Sequence, residues 1–318
     1  PPNKNRIPVH YTKMGLIVLS LFDGISCGQH TLQRLGIQVD TYYASEVEPH
    51  AIRLTKHNFP STIHLGDVQK VRYADGVLQS ECGTFNVPRI DLLIGGSPCQ
   101  GFSQIGQQLN FEDSRSKLIM DYFRLLEEVK PRFFLLENVR MKAEHSAYIT
   151  WKLAPYGAIL YQIDAKKWSA QLRKRLYWTN IKFDLPPDDE TATMQNLIGD
   201  GYEGTFSKGH GYFAGGLRPH AKKMNCLTAC GNWHYKHYVV QHGERRSFVV
   251  EEAEQLMGVS VGFTHGDGTI SKCWRFRMLG NGWSVPVISV IFSGLKDIGT
   301  PIRVYPETPN NHSQNVPT

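Results

Sequence analysis

Cysteine is scarce in this sequence, and its pattern excludes two classes of protein. The 318 residues include six cysteines, at positions 27, 82, 99, 226, 230 and 273. Six are too few for a disulfide-stabilised scaffold of this length, and no two have the CxxC spacing of a zinc ribbon. Cys226 and Cys230 lie near His234 and His237, but this spacing fits no strong zinc template. We therefore expect a reduced protein without a metal site.

Long apolar runs are also missing. No run approaches the roughly 20 residues that a transmembrane helix needs, and the N-terminal stretch PPNKNRIPVHYTK lacks the apolar core of a signal peptide. Lys and Arg number 35 against 29 Asp and Glu, so the excess of positive charge is only +6. The composition predicts a folded, soluble, intracellular protein, cytoplasmic in a prokaryote or virus and nuclear in a eukaryote, with no membrane partner.

In the first half of the chain, short apolar runs alternate with amphipathic segments. Residues 16–22 show no polar alternation, which is typical of a strand buried on both faces. Strands are predicted at 16–22, 39–45, 90–94 and 132–136, and helices at 29–35, 49–57 and 116–129. This repetition predicts an α/β fold with a parallel sheet and right-handed crossovers.

The strand and helix pattern stops near Asp184. Residues 184–200 contain two prolines and an acidic cluster, which predicts a linker. Residues 203–250 hold seven Lys or Arg and two acids, so this segment carries +5 of the net charge, together with seven aromatic residues. Helices are predicted at 251–257 and 284–295, and residues 300–318 are expected to form a frayed tail.

The first predicted strand ends in the turn from Phe22 to Ser26. Gly24 allows a ligand to approach the backbone at the carboxyl end of a strand, where open α/β sheets bind nucleotides. The turn matches neither GxGxxG nor a Walker motif. Glu46 and Asp67 end the next two strands and are suited to ribose hydroxyls and an adenine amine. The pattern favours a nucleoside without a pyrophosphate; alternatively, both acids are ordinary loop caps.

Three further strand ends carry reactive groups. Cys99 follows two glycines and Pro98, at a position where its thiolate can be stabilised by backbone N–H groups; the alternative is a small buried apolar residue. Glu137 lies at the end of an apolar strand, where burial can raise its pKa and let it donate a hydrogen bond. Arg173 and Arg175 would point to the same side of an extended segment, unless they simply form a solvated basic strand.

Taken in order, these motifs resemble those of the DNA (cytosine-5)-methyltransferase family over nearly the whole chain. The resemblance rests on five segments, namely Phe22-Asp23-Gly24, Pro98-Cys99-Gln100, Glu137-Asn138-Val139, Gln171 to Arg175, and Gly280 to Pro286. Some stretches are most similar to the animal de novo branch, and others to bacterial enzymes.

The resemblance implies a Rossmann-like, S-adenosylmethionine-dependent methyltransferase sheet with a small, irregular target-recognition domain. The catalytic domain would combine residues 1–183 with 275–300, the target-recognition region would be 184–274, and 301–318 would be a flexible tail. Cys99 would be the nucleophile that adds to carbon 6 of cytosine. Glu137 would contact the ring nitrogen and amine, and Arg173 and Arg175 the base carbonyl and a flanking phosphate.

The same resemblance implies the cofactor and DNA contacts. Residues 104–116 would be a mobile loop that closes over a flipped base. The expected cofactor-binding residues are Phe22, Asp23, Gly24, Ile25, Ser26, Glu46, Val47, Asp67, Val68, Ser97, Pro98, Asn281, Trp283, Ser284 and Val285. The expected contacts to double-stranded DNA are Gln100, Ser103, Arg218, Lys222, Lys223, Lys236, Arg245 and Arg246. The oligomeric state stays undetermined.

Three alternatives remain. The family's RNA-directed branch methylates transfer RNA on the same scaffold, but its diagnostic Cys-Phe-Thr stretch is not present; Gly262-Phe263-Thr264 is the nearest match. A catalytically silent DNA-binding paralogue would not need Cys99, Glu137 and both arginines. A nicotinamide oxidoreductase would need a complete glycine fingerprint.

Overall fold

A computed structural model describes residues 9–97, 114–207, 216–229, 237–296 and 302–306. Its main element is a seven-stranded sheet. From one edge to the other, the strands are β10 (Ile159–Asp164), β11 (Lys174–Thr179), β9 (Phe133–Val139), β8 (Leu92–Gly96), β2 (Leu16–Leu21), β3 (Val39–Ser45) and β4 (Ile63–His64). The five strands from β9 to β4 are parallel, as predicted. At one edge β11 pairs antiparallel with β9, and β10 pairs antiparallel with β11.

Helices cover both faces of this sheet. They are α1 (Cys27–Arg34), α2 (Pro49–Asn58), α3 (Ser114–Val129), α4 (Ala143–Leu153) and α8 (Val285–Ser293). One apolar core joins Leu93 and Phe134 of the sheet to Leu125 of α3 and Ile149 of α4. On the other face, the core includes α1 and α8. The late helix α8 therefore packs on the sheet formed by the first half of the chain.

The connection from β4 to β8 holds a feature that the sequence pattern did not predict. It is a three-stranded antiparallel meander of β5 (Arg72–Ala74), β6 (Val77–Ser80) and β7 (Gly83–Asn86). Leu78 of β6 is fully buried and belongs to the same core as α3. The meander is short and amphipathic, so it depends on this packing for its stability.

The second half of the chain contains a four-stranded antiparallel sheet of order β13-β12-β14-β15 where an irregular domain was expected. Its elements are α5 (Met194–Ile198), β12 (Tyr202–Ser207), β13 (Gly216–Pro219), β14 (His237–Gln241), β15 (Glu244–Ser247), α6 (Val250–Met257) and α7 (Lys272–Asn281). Helix α5 lies inside the segment predicted as a linker. A third core joins Val239 and Phe276 from this half to Leu54 and Phe59 from the first.

Two strands near the ends of the chain pair with each other. Strand β1 (Val9–Lys13) runs antiparallel to β16 (Ile302–Pro306). Part of the segment expected to be frayed is therefore a strand, because backbone hydrogen bonds to β1 outweigh its Pro-rich and Asn-rich composition; residues 307–318 lie outside the described residues. Across the described ranges, we find no helix with the length and apolarity needed to cross a membrane.

Candidate active site

The loops that follow β2, β3, β8 and β9 leave the sheet at its carboxyl edge. These strands are adjacent and parallel, so their final residues share one edge. The turn beginning at Phe22, Glu46, Ser97 and Glu137 all occur there. The topology therefore places the predicted nucleoside-binding and catalytic motifs at one rim.

The turn after β2 is held by Asp23. Its carboxylate accepts hydrogen bonds from Ser20 Oγ at 2.6 Å, from Tyr42 Oη at 2.8 Å and from Ser26 Oγ. Removal of water raises the pKa of Asp23 to about 6, against the opposing effect of the three hydroxyl donors. Ser26 and Ile25 are buried, so this part of the turn is an inner wall.

Glu46 fixes the other side of this turn. One carboxylate oxygen accepts the Gly24 N–H at 2.7 Å, and the second accepts the N–H groups of Val47 and Glu48 at 2.7 and 2.8 Å. Gly24 has φ +58°, and an ideal Cβ there would meet no heavy atom of the described residues within 4 Å. Val47 is 66% exposed although it is apolar. The turn thus faces open space bordered by a carboxylate and an apolar side chain.

Asp67 and Val68 have local roles as well. The Asp67 carboxylate accepts the Gln69 N–H at 3.0 Å, and the Asp67 N–H donates to Glu81 at 2.8 Å. Val68 is buried against the sheet. Asp67 is therefore a loop cap whose second oxygen accepts no hydrogen bond from the described residues, and Val68 is a core residue behind it.

Glu137 and Arg175 form an ion pair at the end of β9. Arg175 Nε lies 3.2 Å from Glu137 Oε1, and the two side chains are only 16% and 13% exposed. Burial raises the pKa of Glu137, while Arg175, Arg173 and the Trp283 indole lower it. A carboxyl group with a raised pKa beside a guanidinium can both donate and accept hydrogen bonds toward a planar polar ring.

Arg173 is placed differently from Arg175. It is 3% exposed, and its guanidinium donates to the backbone carbonyls of Leu227 at 2.7 Å, Gly280 at 3.1 Å and Gly282 at 2.7 Å. Arg173 lies just before β11, which begins at Lys174. The expectation that both arginines point to the same side of one strand therefore does not hold. The donors of Arg173 connect its own segment to two others, at Leu227 and at 280–282, and do not face open space.

Asn138 holds the start of the loop that contains the candidate nucleophile. Its Nδ2 donates to Ser97 Oγ at 3.0 Å and to the Ser97 carbonyl at 3.3 Å, with both residues buried. Pro98, Cys99, Gln100 and Ser103, together with 104–113 of the expected mobile loop, lie outside the described residues. The last three residues of that expected loop, 114–116, belong to helix α3.

The late segment returns to this rim. Ser284 and Val285 are buried, and Asn281 is exposed. An ideal Cβ at Gly282 would be 3.2 Å from the Cys27 sulfur, which shows how closely the segment approaches α1. Trp283, the next residue, lies near α1, with its indole beside Glu137.

The basic residues expected to contact DNA fall into two groups. Lys223 Nζ donates to the carbonyls of Ser169 and Ala192, and Arg246 forms a bidentate pair with Glu252. Lys222 is exposed, Arg218 donates to Asn225 at 2.9 Å, and exposed Arg245 lies over the rings of Phe206 and Tyr238. Lys236 lies outside the described residues. Lys222 and Arg245 are thus accessible to a ligand, whereas Lys223 and Arg246 stabilise the fold.

Sequence reasoning missed several supporting contacts. Gln171 is fully buried and donates to the Leu256 carbonyl at 2.7 Å. Cys226 lies 3.4 Å from Arg173 and 3.8 Å from Arg175, so it borders the pair with Glu137. The QxRxR spacing marked this segment, but no sequence signal linked it to residues 226–227. Within the described ranges, no group of three or more potential metal ligands is present.

Known proteins share sequence similarity with this chain. The model of the C-5 cytosine-specific DNA methylase family matches residues 16–200. The orphan methyltransferase M.Rho11sI of Bacillus phage rho11s is 32% identical over 185 residues, which are 55% of this chain and 35% of that relative. The type II methyltransferase M1.ScrFI of Lactococcus lactis subsp. cremoris is 25% identical over 340 aligned positions, covering 93% of this chain and 81% of that relative.

Among solved structures, a putative DNA modification methyltransferase from an Escherichia coli prophage superimposes with a TM-score of 0.60. It is 19% identical, and the match covers 89% of this chain and 99% of that one. This similarity shows the class of fold, an α/β methyltransferase sheet.

The chain belongs to the C-5 cytosine-specific DNA methylase family. It spans less than half the length of several curated relatives that it matches.

Proposed function

We propose that this chain transfers a methyl group from S-adenosylmethionine to carbon 5 of a flipped cytosine in double-stranded DNA. The observation that carries the proposal is the Glu137–Arg175 pair, mostly buried and 3.2 Å apart, at the sheet edge that also carries an open glycine turn. Family membership supplies the reaction class.

The residues around the turn after β2 fit the cofactor. The Glu46 carboxylate suits ribose hydroxyls, exposed Val47 suits one face of adenine, and the second oxygen of Asp67 suits the adenine amine. When bound, S-adenosylmethionine supplies an electrophilic methyl group on a sulfonium. Gly24 leaves room for it, because a Cβ there would project into open space.

Carbon 5 of cytosine becomes nucleophilic only after the aromatic ring is broken. Addition of the Cys99 thiolate would form an S–C6 bond and move an electron pair toward carbon 5 and N3. After carbon 5 gains a methyl group and loses its proton, the C5–C6 double bond re-forms and the thiolate leaves. We assign this thiolate to Cys99 because it follows Ser97, which Asn138 fixes.

Glu137 and Arg175 stabilise the charge that this addition produces. With its pKa raised by burial, Glu137 would donate to N3 and accept from the exocyclic amine, while Arg175 would donate to the ring carbonyl. Arg173 would act indirectly, by fixing the segments around Leu227 and Gly282. A base inside a duplex cannot reach these groups and must be flipped out.

Labelled cofactor tests this proposal directly. The chain would be incubated with tritiated S-adenosylmethionine and either duplex DNA or transfer RNA, and the modified DNA sequenced after bisulfite treatment. We expect 5-methylcytosine in DNA alone, loss of activity in Glu137→Gln, and normal activity in the exposed control Glu144→Gln.

Two outcomes would replace the proposal. Label in transfer RNA alone would assign the chain to the RNA-directed alternative; the Phe263 and Thr264 stretch that comes nearest to that branch is buried, with Thr264 donating to Glu254. Cofactor binding without transfer to either nucleic acid would indicate the silent paralogue.

A further inference from the structure

Trp283 contacts the carboxylate of the base-binding pair. An ideal Cβ at Gly96 would lie 2.7 Å from Trp283 Nε1 and 3.0 Å from Glu137 Oε2, so both atoms border the same point on β8. The indole N–H is therefore placed to donate to the Glu137 carboxylate, and its proximity lowers the pKa of that carboxyl group. Gly96 is required at this position because any side chain would enter the space between them.

The rest of Trp283 is anchored on the cofactor side. Its ring atom Cζ3 lies 3.6 Å from the position of a Cβ at Gly28, in helix α1 directly after the cofactor turn. The preceding residue, Gly282, lies close to Cys27 of the same helix, since an ideal Cβ there would be 3.2 Å from the Cys27 sulfur. Burial of Ser284 and Val285 fixes the chain that follows. The position of the indole is thus set by α1 and α8, independently of Glu137.

We propose that Trp283 is a positioning residue, whose indole N–H orients the Glu137 carboxylate toward the target base and links it to the cofactor turn. The sequence predicts that Trp283 binds the cofactor; orienting the Glu137 carboxylate is a second, separate function of its side chain. This positioning role rests on the proposed function only for the identity of the base.

The groups around Glu137 determine the sign of the expected effect. Among the described residues they are Arg175 and Tyr177 of β11, Arg173 before that strand, Trp283, and the Cys226 thiol beside the two arginines. Trp283 is an uncharged donor, so its loss removes a hydrogen bond without changing the local charge. Since a donor favours the ionised carboxylate, the pKa of Glu137 should rise in Trp283→Phe, which keeps an aromatic ring in place.

Fluorine NMR can observe this contact without any activity assay. The protein would be labelled with 5-fluorotryptophan, and the Trp283 resonance, among those of six tryptophans, assigned by its absence in Trp283→Phe. We expect this resonance to shift with pH in the wild type and to lose that titration in Glu137→Gln. A Trp283 resonance that does not respond to Glu137 would overturn the proposal, whether or not the chain methylates DNA.

Kinetics give a second measurement. Trp283→Phe should lower kcat/KM about tenfold, as expected for a hydrogen bond to a charged group, and shift the Glu137 limb of the pH profile upward. Trp168→Phe removes an indole hydrogen bond to the Pro187 carbonyl and is the matched control, with no shift expected. An unchanged profile in Trp283→Phe would contradict the positioning role. If the wild type proves inactive on DNA while the NMR titration is present, the contact stands and only the proposed reaction fails.

Discussion

Replacing each arginine of the QxRxR segment by methionine should separate stability from catalysis. Arg173 is buried and bonded to three backbone carbonyls, whereas Arg175 is 16% exposed and pairs with Glu137. Arg173→Met should therefore destabilise the fold, and Arg175→Met should mainly slow methyl transfer. Methionine keeps an unbranched side chain in both variants, so the two changes are matched.

The magnitude follows from the contacts. A hydrogen bond to a charged donor contributes about 1.5–3 kcal/mol, and Arg173 makes three to carbonyls at 2.7–3.1 Å. The cost of removing a guanidinium from water offsets part of that sum, which leaves a net loss of about 3–5 kcal/mol. Arg175 has one charged partner in a mostly buried pair, but Glu137 can take up a proton when the guanidinium is removed because burial already raises its pKa. The loss should therefore cost only about 1 kcal/mol of stability but about 100-fold in rate.

Urea unfolding, followed by far-ultraviolet circular dichroism, measures the first quantity, and initial rates with tritiated S-adenosylmethionine measure the second. We expect a much lower unfolding midpoint for Arg173→Met and a nearly unchanged one for Arg175→Met. Equal midpoints for Arg173→Met and the wild type, together with lost DNA methylation, would refute the assignment of Arg173 as a structural cross-link.

Four further variants test the packing at Gly96, the protonation of Asp23 and the roles of two lysines. Gly96→Ala places a methyl carbon 2.7 Å from Trp283 Nε1 and 3.0 Å from the Glu137 carboxylate, so these groups must shift, methylation rates should fall at least about tenfold and the fold should lose about 1–3 kcal/mol; a fully active variant would contradict this packing. The pKa of Asp23 is raised from 3.8 to about 6, so the unfolded chain releases this proton first and the free energy of unfolding falls as pH rises between these values. Asp23→Asn should flatten that part of the stability curve, and an unchanged slope would oppose the assignment. Lys222→Glu should flatten the salt dependence of DNA binding, whereas Lys223→Glu should lower the urea midpoint because Lys223 bonds two backbone carbonyls; the reverse pattern would exclude the division between the two lysines.

The sheet and the order of its motifs could be predicted because local signals specify them. Buried parallel strands form unbroken apolar runs, so 39–45 was predicted with the bounds that β3 shows, and α2 extends only one residue beyond the predicted helix. Strand β10 lacks such a run, since Ile159 and Leu160 are exposed at the sheet edge. The meander at 72–86 was missed for the same reason, because its strands have three or four residues each.

The separate roles of the site residues could not be predicted, because each role depends on bonding partners that are distant in sequence. Arg173 and Arg175 have the same chemistry and neighbouring positions, yet one meets the carbonyls near Leu227 and Gly282 and the other meets Glu137. The contact between Trp283 and Glu137 joins residues that are far apart in the chain. Composition marks such residues as candidates, and only the fold determines which side chains are already bonded.

The covalent step can be tested with a duplex that carries 5-fluorocytosine at a site the chain methylates. Fluorine at carbon 5 cannot be lost as a proton, so the S–C6 bond should persist after methyl transfer. We expect an adduct that survives denaturation, forms only with S-adenosylmethionine, and maps by mass spectrometry to the peptide containing Cys99. Methylation of the normal duplex without any adduct on the fluorinated one, or an adduct on another residue, would contradict this expectation.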